Sequence, residues 1–173
     1  RIESRGLGDV YKRQDIDPDI VEDSITISNN YGVVSKIELV LEDIQHVYVG
    51  DLHIRLKKIN ESGDDDSVTI MNQPGAGKGG SNEGNFYGTI ITDSATTSID
   101  DINNDDAPWT NMEFYPKDLD NKTYLSVFNG LDVNGTWVLT IVDLQTGQDT
   151  GTLVSWSLRI YNQLEPEPEP EQP

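Results

Sequence analysis

The sequence contains no cysteine, which excludes a disulfide framework, a cysteine-ligated zinc site and a thiol nucleophile. It has only 12 Lys and Arg residues against 31 Asp and Glu residues, for a formal net charge of −19. This shortage of cations argues against nucleic-acid binding, because phosphate contacts need clustered Lys and Arg. The chain also lacks an apolar run of roughly 18 residues, so no membrane-spanning helix is expected. Its 173 residues suit one acidic domain with a buried core.

The two ends of the chain differ from its body in composition. Residues 1–14 are locally rich in Arg and Lys and show neither strand nor helix periodicity. Because they resemble a translated sequencing adapter, we interpret them as an artefact or a disordered segment outside the fold. Residues 164–173 alternate Glu and Pro, which favours an extended linker with a further module after it. The predicted domain is therefore 15–163.

The body follows a period of two rather than 3.6. Apolar and polar residues alternate in segments separated by Gly- and Asn-containing turns. These predicted strands are 25–28, 36–42, 52–57, 67–71, 86–91, 137–142 and 154–161. In the last segment, Val154, Trp156, Leu158 and Ile160 share the predicted inner face. With no strand–helix–strand spacing, the pattern predicts an all-β fold of about eight strands, an antiparallel β-sandwich or jelly roll.

Three separated segments, 46–52, 125–143 and 147–158, carry recognisable motifs. The motif residues are His46, Tyr48, Gly50, Asp51, Leu52, Phe128, Gly130, Gly135, Trp137, Asp143, Gly151, Leu153 and Trp156. In this order they resemble the P domain (Homo B domain) of proprotein convertases and bacterial subtilisin-like serine proteases, over most of residues 20–162. The chain departs from that family at 58–66, where the usual Ser-Pro-x-Gly-Thr turn is replaced.

The resemblance implies a galactose-binding-like β-sandwich that is itself not an enzyme. It further implies that the parent protein is a secreted subtilisin-like serine endopeptidase with its catalytic domain upstream. The P domain would pack on that catalytic domain in cis and stabilise it. Two alternatives stay open at this point: a carbohydrate- or surface-binding module of another extracellular protein, and a structural adhesin repeat. An upstream protease core with Asp, His and Ser would discriminate between them.

No catalytic residue is predicted, because neither His46 nor His53 is accompanied by a serine-nucleophile turn. We expect His46 to hydrogen-bond a neighbouring loop. Trp109 lies in a loop-like segment shortly before Tyr115, and two interpretations remain open. The pair could stack on sugar rings or anchor a protein interface, or Trp109 could fold back onto the core.

Calcium is the cofactor that the acidic loops suggest. Calcium takes six to eight oxygen ligands, which loop carboxylates and carbonyls can supply. Asp51, Asp93 and Asp143 fall at predicted strand ends, where one ion could join two loops. The alternative is that these loops are simply solvated and keep the protein soluble.

Overall fold

The computed structural model describes residues 1–6, 14–16, 20–75, 84–145 and 151–164, which form thirteen strands and four 3₁₀ helices. The strands are β1 (Ile2–Gly6), β2 (Gln14–Asp15), β3 (Ile20–Ile27), β4 (Val33–His46), β5 (Leu52–Ile59), β6 (Asp66–Asn72), β7 (Gly84–Ile91), β8 (Trp109–Thr110), β9 (Glu113–Phe114), β10 (Lys117–Asp118), β11 (Asn121–Lys122), β12 (Gly135–Asp143) and β13 (Gly151–Gln163). The 3₁₀ helices are Val49–Asp51, Ile99–Asp101, Asn104–Asp106 and Leu125–Phe128. The predicted Glu-Pro linker, beyond Leu164, lies outside the described residues.

Two sheets face each other as a sandwich. The large sheet has the order β1-β13-β4-β7-β8, with β2 also on β13 and β9 also on β7. The small sheet has the order β3-β12-β5-β6, and β10 and β11 form a separate hairpin. All these pairings are antiparallel except those of β8 and β9 with β7. The all-β sandwich prediction is confirmed. Six of the seven predicted strands fall within one of the longer strands, and the seventh, 25–28, extends one residue past the end of β3 at Ile27.

The core lies between the two sheets and follows the period-two pattern of the sequence. On β5, Leu52, Ile54 and Leu56 are fully buried, while Arg55 between them is exposed. Burying each such side chain stabilises the fold by about 1.5–3 kcal/mol. In the described residues, no helix has the length and apolar character needed to cross a membrane.

Irregular pairing between β13 and β4 changes which residues face the core. The register shifts on both sides of Ser155, as β-bulges do. Leu153 and Trp156 are therefore both fully buried, although they lie three positions apart. Val154, predicted on the inner face, is only partly buried, so the predicted alternation is wrong at that position.

The N-terminal residues take part in the large sheet. β1 pairs with β13 from Ile2 opposite Ile160 to Gly6 opposite Trp156, and β2 continues along the same edge. The interpretation that residues 1–14 stand outside the fold therefore does not hold for these two strands. A strand edge binds extended backbone through N–H and C=O groups, so a segment without a strand-like side-chain pattern can still pair with it.

Candidate functional site

Several motif residues meet at the end of the sandwich where β4 ends at His46 and β12 ends at Asp143. Both side chains are buried, with 3% of each residue exposed. His46 Nε2 lies 3.1 Å from Asp143 Oδ2, so this hydrogen bond joins the large sheet to the small sheet. The expected partner of His46 was a neighbouring loop, and the structure adds a carboxylate from the opposite sheet.

The other ring nitrogen of His46 faces the backbone of Tyr48. Nδ1 lies 2.8 Å from the Tyr48 carbonyl oxygen and 3.0 Å from the Tyr48 amide nitrogen. This contact holds the chain as it enters the 3₁₀ helix Val49–Asp51. The end of that helix is bound in turn, because Leu144 N–H donates to the Asp51 carbonyl at 2.9 Å. Loops from both sheets are therefore held around one imidazole.

Gly151 allows the His46 ring to sit at this position. A Cβ added to Gly151 would collide with the imidazole and would lie 2.5 Å from the Gln45 carbonyl oxygen. The Gly151 carbonyl also accepts the Ile16 amide at 2.9 Å. The glycine of the third motif is explained by this close approach of backbone to ring.

The arrangement does not suit acid–base catalysis. Both nitrogens of His46 are engaged, and Asp143 Oδ1 also accepts the Gln145 amide at 2.9 Å. A general base needs a nitrogen within reach of a nucleophile or a water. His53, on β5, is half-buried, and its pKa is lowered chiefly by desolvation, with Arg55 adding to that effect and Asp118 opposing it. The site is therefore structural: His46 and Asp143 connect the two sheets, and we call this pair the His46–Asp143 clamp.

The three aspartates predicted to bind calcium are not gathered into one group. Asp51, at the end of a 3₁₀ helix, and Asp143, at the end of β12, lie at the His46 end of the sandwich. Asp93 follows the far end of β7 and caps the 3₁₀ helix Leu125–Phe128, accepting the amides of Leu125 at 2.8 Å and Ser126 at 2.9 Å. In the part of the chain that the structure describes, no group of three or more His, Cys, Asp or Glu side chains could hold a metal ion. These residues do not fit a shared calcium site, and calcium binding stays a prediction.

Trp109 and Tyr115 do not form the exposed aromatic pair that one of the two interpretations required. Trp109 is fully buried, packs on Phe86 with ring centroids 5.3 Å apart and donates its indole N–H to the Asn103 carbonyl. It therefore cannot stack on a sugar or anchor an interface, and it folds onto the core instead. Tyr115 is partly buried, with the Lys122 ammonium 4.4 Å from its ring centroid.

Trp137 and Trp156 lie in the core, and each indole N–H has an acceptor. Trp137 donates to the Val133 carbonyl at 3.2 Å. Trp156, on the large sheet, donates to Asp23 Oδ2 on β3 of the small sheet at 2.7 Å. The sequence analysis did not identify Asp23. Its position midway between Val21 and Ile25, at every second residue, could have indicated an acidic side chain on the inner face.

Comparison with known proteins gives this sandwich a family. A model of the proprotein convertase P-domain matches residues 34–160. Among solved structures, the chain is similar to a serine protease of Aeromonas sobria at 12% identity and a TM-score of 0.45, covering 94% of this chain and 28% of that chain. The chain thus spans little more than a quarter of that protein's length. No curated protein matches it in sequence. Because the family model covers most of the sandwich, including the His46–Asp143 clamp, the chain belongs to the proprotein convertase P-domain family.

Proposed function

We propose that this domain is the non-catalytic P domain of a secreted subtilisin-like serine endopeptidase, and that it packs on the catalytic domain in cis and stabilises it. Membership of the P-domain family carries this proposal. The clamp supports it from the chemical side, because both nitrogens of His46 serve the fold and none is left for catalysis.

Exposed apolar side chains beside the clamp suit packing on another domain. Val47 and Leu144 directly follow the clamped residues and are 45% and 44% exposed. Ile20 is 60% exposed and pairs with Val142, two residues before Leu144 in the chain. Protein interfaces combine an apolar centre with a polar rim. Contact with the catalytic domain at this surface would bury these side chains, and their removal from water would stabilise the contact.

The test starts from the full-length gene, which should encode an upstream catalytic core with Asp, His and Ser. The catalytic domain would be produced with and without this domain, and its half-life at 37 °C would be measured by peptide hydrolysis. We expect the half-life to fall when the domain is absent. Equal half-lives and equal yields of active enzyme would contradict the proposal.

Two variants refine this experiment. Trp156→Ala removes a buried core ring, so it should shorten the half-life of the full-length enzyme toward that of the bare catalytic domain. Asp120→Ala changes an exposed side chain on the β10–β11 turn and should leave the half-life unchanged. If both variants behave alike, folding of this domain is not what protects the enzyme.

A carbohydrate-binding role has lost its main support. That interpretation depended on Trp109 at the surface, and the indole is fully buried. No other feature of the described residues favours a sugar over a protein partner.

A further inference from the structure

Three of the four long edges of the sandwich are paired or hydrogen-bonded with further described segments. In the large sheet, β1 and β2 pair along the outer side of β13, and β8 and β9 pair with β7 at the other edge. In the small sheet, the edge strand β6 is met by the segment around the β10–β11 hairpin. There Thr123 Oγ1 donates to the Thr69 carbonyl at 2.6 Å, and Asn72 Nδ2 donates to Asp118 Oδ1 at 2.8 Å.

The fourth edge is β3, which pairs only with β12 in the described part of the chain, although β1 of the large sheet lies close to it. Its eight residues, Ile20–Ile27, are paired with β12 from Val142 to Gly135 without a bulge. A regular edge of this length presents N–H and C=O groups that a second chain can bind, which is the usual route to edge-to-edge association.

The inner face of β3 carries a charge. Val21, Ile25 and Ile27 are 6%, 5% and 6% exposed and point into the core. Asp23 occupies the same phase, and its carboxylate accepts the Trp156 indole N–H at 2.7 Å across the sandwich. Inward-pointing charges are one of the devices by which edge strands avoid pairing with other copies.

We propose that Asp23 prevents the edge of β3 that no described strand pairs with from pairing with a second copy of this chain. A symmetric pairing of two antiparallel β3 strands keeps both inner faces on the same side only if its centre falls on a residue. Centred on Asp23, the pairing sets two Asp23 carboxylates directly opposite each other; centred on either neighbouring residue, it sets them on the diagonal. Like charges directly opposite each other destabilise a strand pair, and diagonal neighbours lie only a few ångströms farther apart.

The hydrogen bond from the Trp156 indole keeps the Asp23 carboxylate on the inner face of β3. To relieve the repulsion, Asp23 would have to turn away and leave the buried Trp156 N–H without an acceptor. An unpaired buried donor is costly, so the carboxylate stays at the inner face. The resistance of this edge to pairing therefore depends on two residues that lie on different sheets.

The test is the mass of the 173-residue chain in solution, by size-exclusion chromatography with light scattering over a range of concentrations. Wild type should be monomeric. Asp23→Val should approach twice the monomer mass as concentration rises. Glu22→Val is the matched control, because it makes the same chemical change one residue away on the exposed face, and it should remain monomeric.

Hydrogen exchange then locates the contact. In concentrated Asp23→Val, the amides of β3 should gain protection, and the amides of the other strands should not. Asp23→Asn removes the charge, keeps an acceptor for the indole and preserves the fold, so it should associate to an intermediate degree. A wild-type dimer, equal association of Glu22→Val, or monomeric Asp23→Asn and Asp23→Val at all concentrations would each overturn the proposal.

Discussion

Asp143 Oδ2 lies 3.1 Å from His46 Nε2, and this one bond connects the last residue of β12 to the last residue of β4. Asp143→Ala leaves the His46 ring and the Gln145 amide without their acceptor. We expect a loss of about 1–3 kcal/mol in the free energy of unfolding, measured by urea denaturation. His46→Ala together with Asp143→Ala should cost less than the sum of the two single changes, because the two residues share one interaction. Additive losses would show that the clamp is not a unit.

Trp156 offers a separate test of inter-sheet packing. Trp156→Ala should lower the free energy of unfolding by about 3–5 kcal/mol, since it deletes a fully buried ring. Trp156→Phe keeps most of the packing and removes the donor to Asp23, so it should cost less than the alanine variant. A loss below about 1 kcal/mol for Trp156→Ala would contradict the position of this ring in the core.

His53 predicts an acid-sensitive component of stability. Its pKa is lowered in the folded state, first by desolvation, so the unfolded chain binds the proton more readily. The contribution is therefore fully present above about pH 6.5, the ordinary pKa of histidine, and is lost as the pH falls below it. Urea midpoints at pH 7.5 and pH 5.5 should differ less in His53→Asn than in wild type.

Asp118 provides the matched variant for His53. Its charge raises the pKa of His53, so Asp118→Asn should deepen the loss of stability in acid. The opposite change, or identical pH profiles for wild type and His53→Asn, would show that other groups govern this pH range.

Calcium is predicted to raise the melting temperature of this acidic domain. A ligand that binds only the folded state stabilises it by about 2.7 kcal/mol at a hundredfold excess over Kd. Melting curves would be compared in calcium, magnesium and sodium chloride at equal ionic strength, because general screening acts in all three. A calcium-specific rise that is lost in Asp51→Asn would support a site at the clamp end. Equal melting temperatures in the three salts would contradict calcium binding.

Asp93 needs its own control in that experiment. Its carboxylate accepts two backbone amides at the start of Leu125–Phe128, so Asp93→Asn should be less stable than wild type even without calcium. Only a change in the calcium-induced shift, and not in the melting temperature itself, would assign Asp93 to a metal.

The sheets could be predicted from the sequence because their inner residues recur at every second position. β5 shows this most clearly, with Leu52, Ile54 and Leu56 buried around exposed Arg55. The pattern fails where pairing geometry, and not side-chain chemistry, decides the position. The bulges beside Ser155 put Leu153 in the core in place of Val154, and the two-residue strands β8 to β11 are too short to show a period.

The polar contacts could not be predicted from the sequence, because they join residues far apart in the chain. Asp23 and Trp156 are separated by 133 positions, and His46 and Asp143 by 97. From the sequence alone, an aspartate in a strand is expected at the surface, because its buried hydrogen-bond donor cannot be identified. Trp109 shows the same limit, since the polar residues of its segment left both exposure and burial open, and only the structure shows that it packs on Phe86 and donates to the Asn103 carbonyl.

Complete burial of the tryptophans also supplies the domain with optical reporters. Trp109 lies beside β7, Trp137 in the small sheet and Trp156 in the large sheet, and each indole N–H is bound to a protein oxygen. Each ring should therefore emit at short wavelength when folded and shift to the red when water reaches it. Variants that keep one tryptophan and replace the other two with Phe would follow three regions of the sandwich separately. Coincident red shifts would show that loop and sheets melt as one cooperative unit, and an earlier shift at Trp109 would identify its loop as the first region to open.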